Sequence, residues 1–197
     1  MLKIYGMSES GNCYKVKLLL TQLGKPFQWI ETDSTTGETR TTEFLKMNPN
    51  GQVPTMEISP GVYLPESNAI LCYLAEGTPY WPDDRLARAR ALRWMFFEQY
   101  SHEPYVAVAR YILVFAKQPQ HPELKEKQRR SHLALAVMEG HLARVPFFAG
   151  AQYSVADIAL YAYTHVADEG GIDLAAYPAV RAWLARVKSQ PRHLAIR

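Results

Sequence analysis

At 197 residues, with 48% apolar and 21% charged side chains, the chain has the composition of a globular protein and the length for one large domain or two small ones. Its formal net charge is +3 with scattered Lys and Arg, and the densest basic run, Lys125–Arg130, falls inside a helical pattern and reads as a solvated helix face, so no nucleic-acid partner is expected. Two cysteines, Cys13 and Cys72, exclude a disulfide framework and fit a reducing compartment. No secretory pattern follows Met1 and no apolar run approaches about 18 residues, so no membrane association is expected and the cytoplasm is the expected location.

Leu2–Tyr5 alternates as a strand and stops at Gly6. From Gly11 the pattern turns helical, with Val16, Leu19, Leu20 and Leu23 on one stripe and Gly24 after it. Pro26–Ile30 reads as a second strand, Thr35–Thr42 as a polar loop and Glu43–Met47 as a short helix. Val53–Ile58 and Val62–Leu64 form a hairpin about Pro60-Gly61, and Glu66–Glu76 is a helix. Gly77–Asp84 breaks the composition as a linker. Long helices over Arg85–Lys117, Glu123–Arg144, Ser154–Ala167 and Pro178–Ser189 follow. The expected fold class is α/β plus all-α, with residues 1–76 as one domain, 77–84 as the linker and 85–197 as a helical domain.

Several patterns bear on chemistry. Asn50-Gly51-Gln52-Val53-Pro54 suggests an edge with unpaired backbone groups, open to an extended peptide. Pro65-Glu66-Ser67-Asn68 opens a helix with N–H donors, a hydroxyl and a carboxylate, suited to a small zwitterionic peptide. Between the first strand and helix lie Ser8, Ser10 and Asn12, where α/β folds collect ligands; Ser10 and Asn12 read equally as helix caps. Cys13 reads as a buried thiol, or as a thiolate favoured by the helix N-terminus. Ser154-Val155-Ala156-Asp157 is a capping box. Tyr100, His102 and Tyr105, near Pro104, could line a pocket or pack in the core. The histidines lack metal-ligand spacing, and no P-loop or GxGxxG run occurs, so neither metal nor nucleotide is expected.

With the βαβ–α–ββα order, NPNGQVP, PESNAI and the SVAD cap, the whole chain resembles the cytosolic glutathione S-transferases. The resemblance implies a thioredoxin-like N-terminal domain, a C-terminal helical bundle and a homodimer, with glutathione as co-substrate. It implies that Val53, before a cis Pro54, pairs with the cysteinyl part of glutathione like an added strand. Glu66 and Ser67 would hold the γ-glutamyl amine and carboxylate, Gln52 would add a polar contact and Arg40 would approach the glycyl carboxylate. Ser10 matches the serine of phi and theta classes and the cysteine position of the beta class. Asn12 matches the asparagine of nu-class and Ure2-like relatives, although its neighbouring glycine precedes it. Tyr5 sits near the tyrosine of alpha, mu and pi classes, one residue out of register, and matches a beta-class strand tyrosine. Ser10 ranks first as the group at the sulfur, then Asn12 and Tyr5, with Ser8 and Cys13 behind. The implied activity is thiolate attack on a hydrophobic electrophile held by the helical domain. Glutathione-dependent disulfide or peroxide reduction is the alternative, and a non-catalytic binding or dimerisation module the second.

Overall fold

The computed structural model describes residues 1–196 and divides into two compact units, Met1–Thr78 with the segment from Pro191 onward, and Pro79–Gln190. The first unit runs β1 (Leu2–Gly6), α1 (Gly11–Leu23), β2 (Phe27–Glu31), a 3-10 turn at Glu38–Arg40, α2 (Thr42–Met47), β3 (Thr55–Ser59), β4 (Val62–Pro65) and α3 (Ser67–Ala75). The sheet order is β2-β1-β3-β4, with β1 parallel to β2 and the remaining pairs antiparallel. This is the thioredoxin-like arrangement that the element order predicts.

Strand alternation divides the sheet into two chemically different faces. Ile4 and Met56 are fully buried on one of them. Gly6 shares that face, and a Cβ there would meet the Trp29 ring at 2.7 Å and Cys13 Cβ at 3.3 Å, so α1 crosses close above it. Lys3, Tyr5 and Glu57 point to the other face, where Lys3 pairs with Glu57 at 2.8 Å.

Helix α1 starts on Ser10, whose backbone is extended and whose hydroxyl accepts the Cys13 N–H. It ends on Gly24 at φ +63, where the glycine N–H closes onto the Leu20 and Thr21 carbonyls. Helix α1 is buried well beyond its leucine stripe, with Lys15 and Gln22 among its buried residues. The chain after Pro191 joins this unit, where Tyr14 donates to the Leu194 carbonyl at 2.8 Å. The helical domain expected to run to residue 197 therefore ends as a compact unit at Gln190.

The second unit contains α4 (Arg85–Phe97), α5 (Glu103–Arg110), α6 (Leu124–Leu142), α7 (Val155–Thr164) and α8 (Pro178–Lys188). The single helix expected over Arg85–Lys117 is interrupted by wide π turns at Glu98–His102 and Tyr111–Phe115. Pro104, which has no N–H to give, sits in the first turn of α5 directly after the first π turn. Helix α7 is buried along its whole length and begins at the capping box of Ser154 and Asp157. Asp157 is fully buried and accepts from Phe148 N at 3.0 Å, Trp183 Nε1 at 2.9 Å and Ser154 N at 2.9 Å. Burial pushes its carboxyl up to about 6 against those donors.

Candidate functional site

The pairing register brings the chemically interesting segments to one end of the sheet. Tyr5 pairs with Thr55, Thr55 with Pro65, and Gly6 with Glu31. The exits of β1, β2 and β4 and the entry to β3 therefore lie in one row. From that row rise the Met7–Ser10 loop, the Val53-Pro54 bend and the start of α3. Sequence positions far apart thus converge because parallel and antiparallel neighbours alternate around β1.

At the first of these, Ser10 Oγ accepts the Cys13 N–H at 3.4 Å. That cap uses one oxygen lone pair of the hydroxyl. The preceding loop is held from two sides: Ser8 N and Oγ donate to the Glu31 carboxylate at 2.7 and 2.6 Å, and Met7 N donates to Cys13 Sγ at 3.4 Å. Against the burial that would raise it, bonds from Ser8 and from the Trp29 indole hold the Glu31 carboxyl below its ordinary value. The Ser8 hydroxyl is thus engaged in building the loop.

Cys13 is fully buried, and burial pushes its thiol up to about 12 despite bonds from Ser10 and Met7. The helix N-terminus does not produce an activated thiolate here, because the sulfur lies against the sheet. Tyr5 is not brought to Ser10: it lies on the sheet face opposite α1, with its ring edge-on to Phe44 at 6.5 Å. Burial, then the Glu57 carboxylate, raise its phenol further, which favours the neutral form.

The second cluster is the peptide-like edge. The Val53–Pro54 bond is cis. Asn48 braces the bend, donating from Nδ2 to the Gln52 carbonyl at 2.8 Å and accepting Asn50 N at Oδ1 at 3.0 Å. Among the described residues, no hydrogen bond uses the Val53 N–H or C=O. Arg40 is exposed and donates to the Asn50 carbonyl at 3.1 Å, which holds a cation beside this bend. Its guanidinium covers Gly51, at φ +62, where a Cβ would meet Arg40 Nη1 at 2.5 Å. Gln52 is exposed at the same bend.

At the start of α3, Glu66 adopts φ +70 and ψ 109, a region that a residue with a Cβ rarely occupies. Its side chain is exposed and makes no capping bond. Ser67, the first residue of α3, is buried and donates to Asn12 Oδ1 at 3.1 Å. Lys15 Nζ lies 3.4 Å from the same Ser67 oxygen. Sequence reasoning missed Lys15. Its signal was present: Lys15 precedes Leu18 and Leu19 by three and four positions and so shares their buried side of α1.

In the helical unit, Tyr100 and Tyr105 line one open hollow of about 420 Å³, with Phe97, Leu133 and Arg130. Arg130 donates to the Tyr105 hydroxyl at 2.6 Å. His102 does not join them. It is fully buried and its Nε2 meets Thr164 Oγ1 at 2.9 Å, so the expectation of a pocket histidine is corrected to a core one. In α3, Ile70 and Leu74 are buried, whereas Ala69 and Tyr73 are exposed. Further exposed apolar side chains lie on α4 and α6 and the turn between α4 and α5, at Phe96, Tyr100, Leu133 and Val137. Among the described residues, no group of three His, Cys, Asp or Glu side chains is arranged to hold a metal ion.

Comparison with known proteins places these features in a family. Residues 1–76 match the family described as Glutathione S-transferase, N-terminal domain, and residues 94–191 match its C-terminal domain. The chain is 30% identical to the Disulfide-bond oxidoreductase YfcG of Escherichia coli (strain K12) over 97% of this chain and 92% of that protein. It is 28% identical to the Glutathione S-transferase GstB of the same strain, over 97% of this chain and 95% of that one. A solved glutathione S-transferase from Pseudomonas fluorescens Pf-5 superposes with a TM-score of 0.97 at 51% identity, covering 99% of this chain and 98% of the other.

Proposed function

The chain belongs to the glutathione S-transferase family, and on that premise we propose that it binds glutathione along the row of strand ends and activates the thiol with Ser10. The observation that carries this reading is the Ser10 hydroxyl at the start of α1, where its oxygen caps the helix through the Cys13 N–H. A sulfur placed there accepts the hydroxyl proton as a hydrogen bond, and the partial positive charge of the helix N-terminus favours the anion. The thiol proton passes to solvent and the thiolate attacks an electrophilic carbon. A C–S bond forms as the electrophile's leaving group departs or its π electrons shift.

The peptide anchors divide the remaining work. The unpaired Val53 backbone takes the cysteinyl amide groups as an added strand. Ser67 and the α3 N-terminus take the γ-glutamyl carboxylate, and the exposed Glu66 carboxylate takes the ammonium. Arg40, tied to Asn50, and Gln52 serve the glycyl end. Tyr100 and Tyr105 remain the proposed apolar wall for the electrophile. The chain is proposed to form a homodimer, and a cytoplasmic setting fits the free cysteines.

The relative named as a disulfide-bond oxidoreductase favours a second reading, disulfide reduction with glutathione as reductant. One glutathione thiolate attacks the substrate disulfide and releases one thiolate, and a second glutathione resolves the mixed disulfide to oxidised glutathione and the second thiol. Cys13 takes no part, because its sulfur is buried. Calorimetric titration with glutathione, followed by parallel assays of conjugation and disulfide reduction, tests both readings. The first predicts conjugation, and reduction without conjugation would replace it with the second. Absence of glutathione binding would leave the non-catalytic module.

A further inference from the structure

The turn that delivers Ser10 is gripped by a carboxylate on the neighbouring strand. Met7–Ser10 closes through the Ser10 N–H onto the Met7 carbonyl at 3.0 Å, with Ser8 and Glu9 as its central residues. Glu9 is exposed and Met7, Ser8 and Ser10 are half-buried, so packing alone fixes little of the turn's shape. Glu31, the last residue of β2, lies opposite Gly6 in the parallel register. Strand alternation puts it on the same side as Trp29, whose ring packs over Gly6. One Glu31 oxygen accepts Ser8 N at 2.7 Å, and the other accepts Ser8 Oγ at 2.6 Å and Trp29 Nε1 at 2.8 Å. Lys17 Nζ in turn lies over the Trp29 ring, 5.0 Å from its centre. An ionised carboxylate only accepts, so both Ser8 donors point at Glu31 and fix the backbone and side chain of the turn's second residue together.

We propose that Glu31 is a positioning residue of the thiol site, setting the Met7–Ser10 turn through Ser8 and thereby the place of the Ser10 hydroxyl. The role rests on the reading of Ser10 as the donor to the sulfur. Ser10 lies outside the helix it caps, so its backbone follows the turn before it as well as α1 after it. A donor displaced by a fraction of an ångström loses much of its preference for thiolate over thiol. The negative charge of Glu31 taken alone opposes a thiolate nearby. Loss of its grip and loss of its charge therefore move the bound thiol in opposite directions, and the sign of the shift separates them.

The test uses the full-length protein with Glu31→Ala and Ser8→Ala, each made in the wild-type and in the Ser10→Ala background. Thiolate absorbance gives the pKa of bound glutathione, and calorimetry gives its affinity. Glu31→Ala is expected to raise the bound thiol's pKa by about half a unit and to slow conjugation at neutral pH about threefold, with affinity within about twofold of wild type. Ser8→Ala, which keeps the charge and loses one bond of the grip, is expected to give a smaller rise. In the Ser10→Ala background neither change is expected to move the thiol further, because both act through the missing hydroxyl. A thiol pKa that falls or stays unchanged in Glu31→Ala overturns the proposal, as does a shift of the same size with and without Ser10. If Glu31→Ala does not fold, Ser8→Ala decides in the same two backgrounds: a rise confined to the Ser10 background upholds the proposal, and any other result overturns it. Wild type without glutathione affinity, or a Ser10→Ala protein with the wild-type thiol pKa, sinks the Ser10 reading and this proposal with it. A shift in Ser10→Ala with none in Glu31→Ala sinks this proposal alone.

Discussion

The Ser67 hydroxyl donates to Asn12 Oδ1 across 3.1 Å and so ties together the N-termini of α1 and α3, 55 residues apart in sequence. The bond joins the two places the sequence marks separately, one for the thiol and one for the γ-glutamyl end. Its geometry also fixes which end of the Asn12 amide accepts and which donates. On the proposed reading, replacing that amide by a carboxylate places a negative charge beside the forming thiolate. Asn12→Asp is expected to raise the bound thiol's pKa and lower the conjugation rate about tenfold at neutral pH, with the loss recovered as pH rises. A pH–rate profile beside wild type checks this.

Glu66 offers a separation of stability from function. At φ +70 its backbone costs a residue with a Cβ about 1–2 kcal/mol, which a glycine does not incur. Glu66→Gly is expected to raise unfolding stability by roughly 0.5–1 kcal/mol while weakening glutathione binding about tenfold. Glu66→Ala keeps the strain, and should lose the binding without the gain in stability. Thermal melts paired with calorimetry distinguish the two variants.

The cysteines give a direct pH prediction. Burial pushes Cys13 up to about 12 and Cys72 up to about 11, so raising the pH, not lowering it, makes thiolate. At pH 8 the thiolate fraction is about one in ten thousand for Cys13 and one in a thousand for Cys72. A disulfide reagent at pH 8 should find no fast thiol in the folded protein and both thiols after denaturation. A fast-reacting folded thiol would bring a cysteine back into the chemistry.

Asp157 ties the stability of the helical unit to pH. Its folded-state value of about 6 lies above the ordinary 3.8, so the folded protein holds this proton more tightly than the unfolded chain. The resulting stabilisation is present below about pH 4 and is lost as pH rises through about 6. Two pKa units correspond to about 3 kcal/mol, an upper figure for this contribution. Asp157→Ala removes the acceptor of four hydrogen bonds and is expected to destabilise the protein by about 3 kcal/mol or more at pH 4, with a smaller deficit at pH 7. Denaturant melts of both proteins at the two pH values measure the difference.

Much of this site was readable in the chain because its signals are local. A proline after an apolar residue at a strand entry, a Ser at a helix start and a Ser-x-x-Asp cap each follow from short-range backbone chemistry, and all three occur where expected. Features set by tertiary packing were not readable. Periodicity marks His102 and Tyr105 alike, yet His102 meets Thr164 in the core while Tyr105 meets Arg130 at the surface. The two π turns shift the helix face between Arg85 and Phe115, so a uniform 3.6-residue count misplaces side chains beyond them. Lys15 was passed over because lysine is usually a surface residue, and only the crossing of α3 over α1 brings Ser67 to it. The return of the chain at Leu194 to Tyr14 leaves no mark in either segment.

The most direct measurement of the central claim is the pKa of glutathione's thiol when bound to wild type and to Ser10→Ala, followed by thiolate absorbance with conjugation rates on the same samples. Loss of the Ser10 donor is expected to raise the bound thiol's pKa by about one unit or more and to reduce conjugation at neutral pH about tenfold or more, with binding largely retained. The helix cap is lost as well, at about 1 kcal/mol, so the protein stays folded. An unchanged thiol pKa and an unchanged rate in a folded, glutathione-binding Ser10→Ala protein would contradict the account.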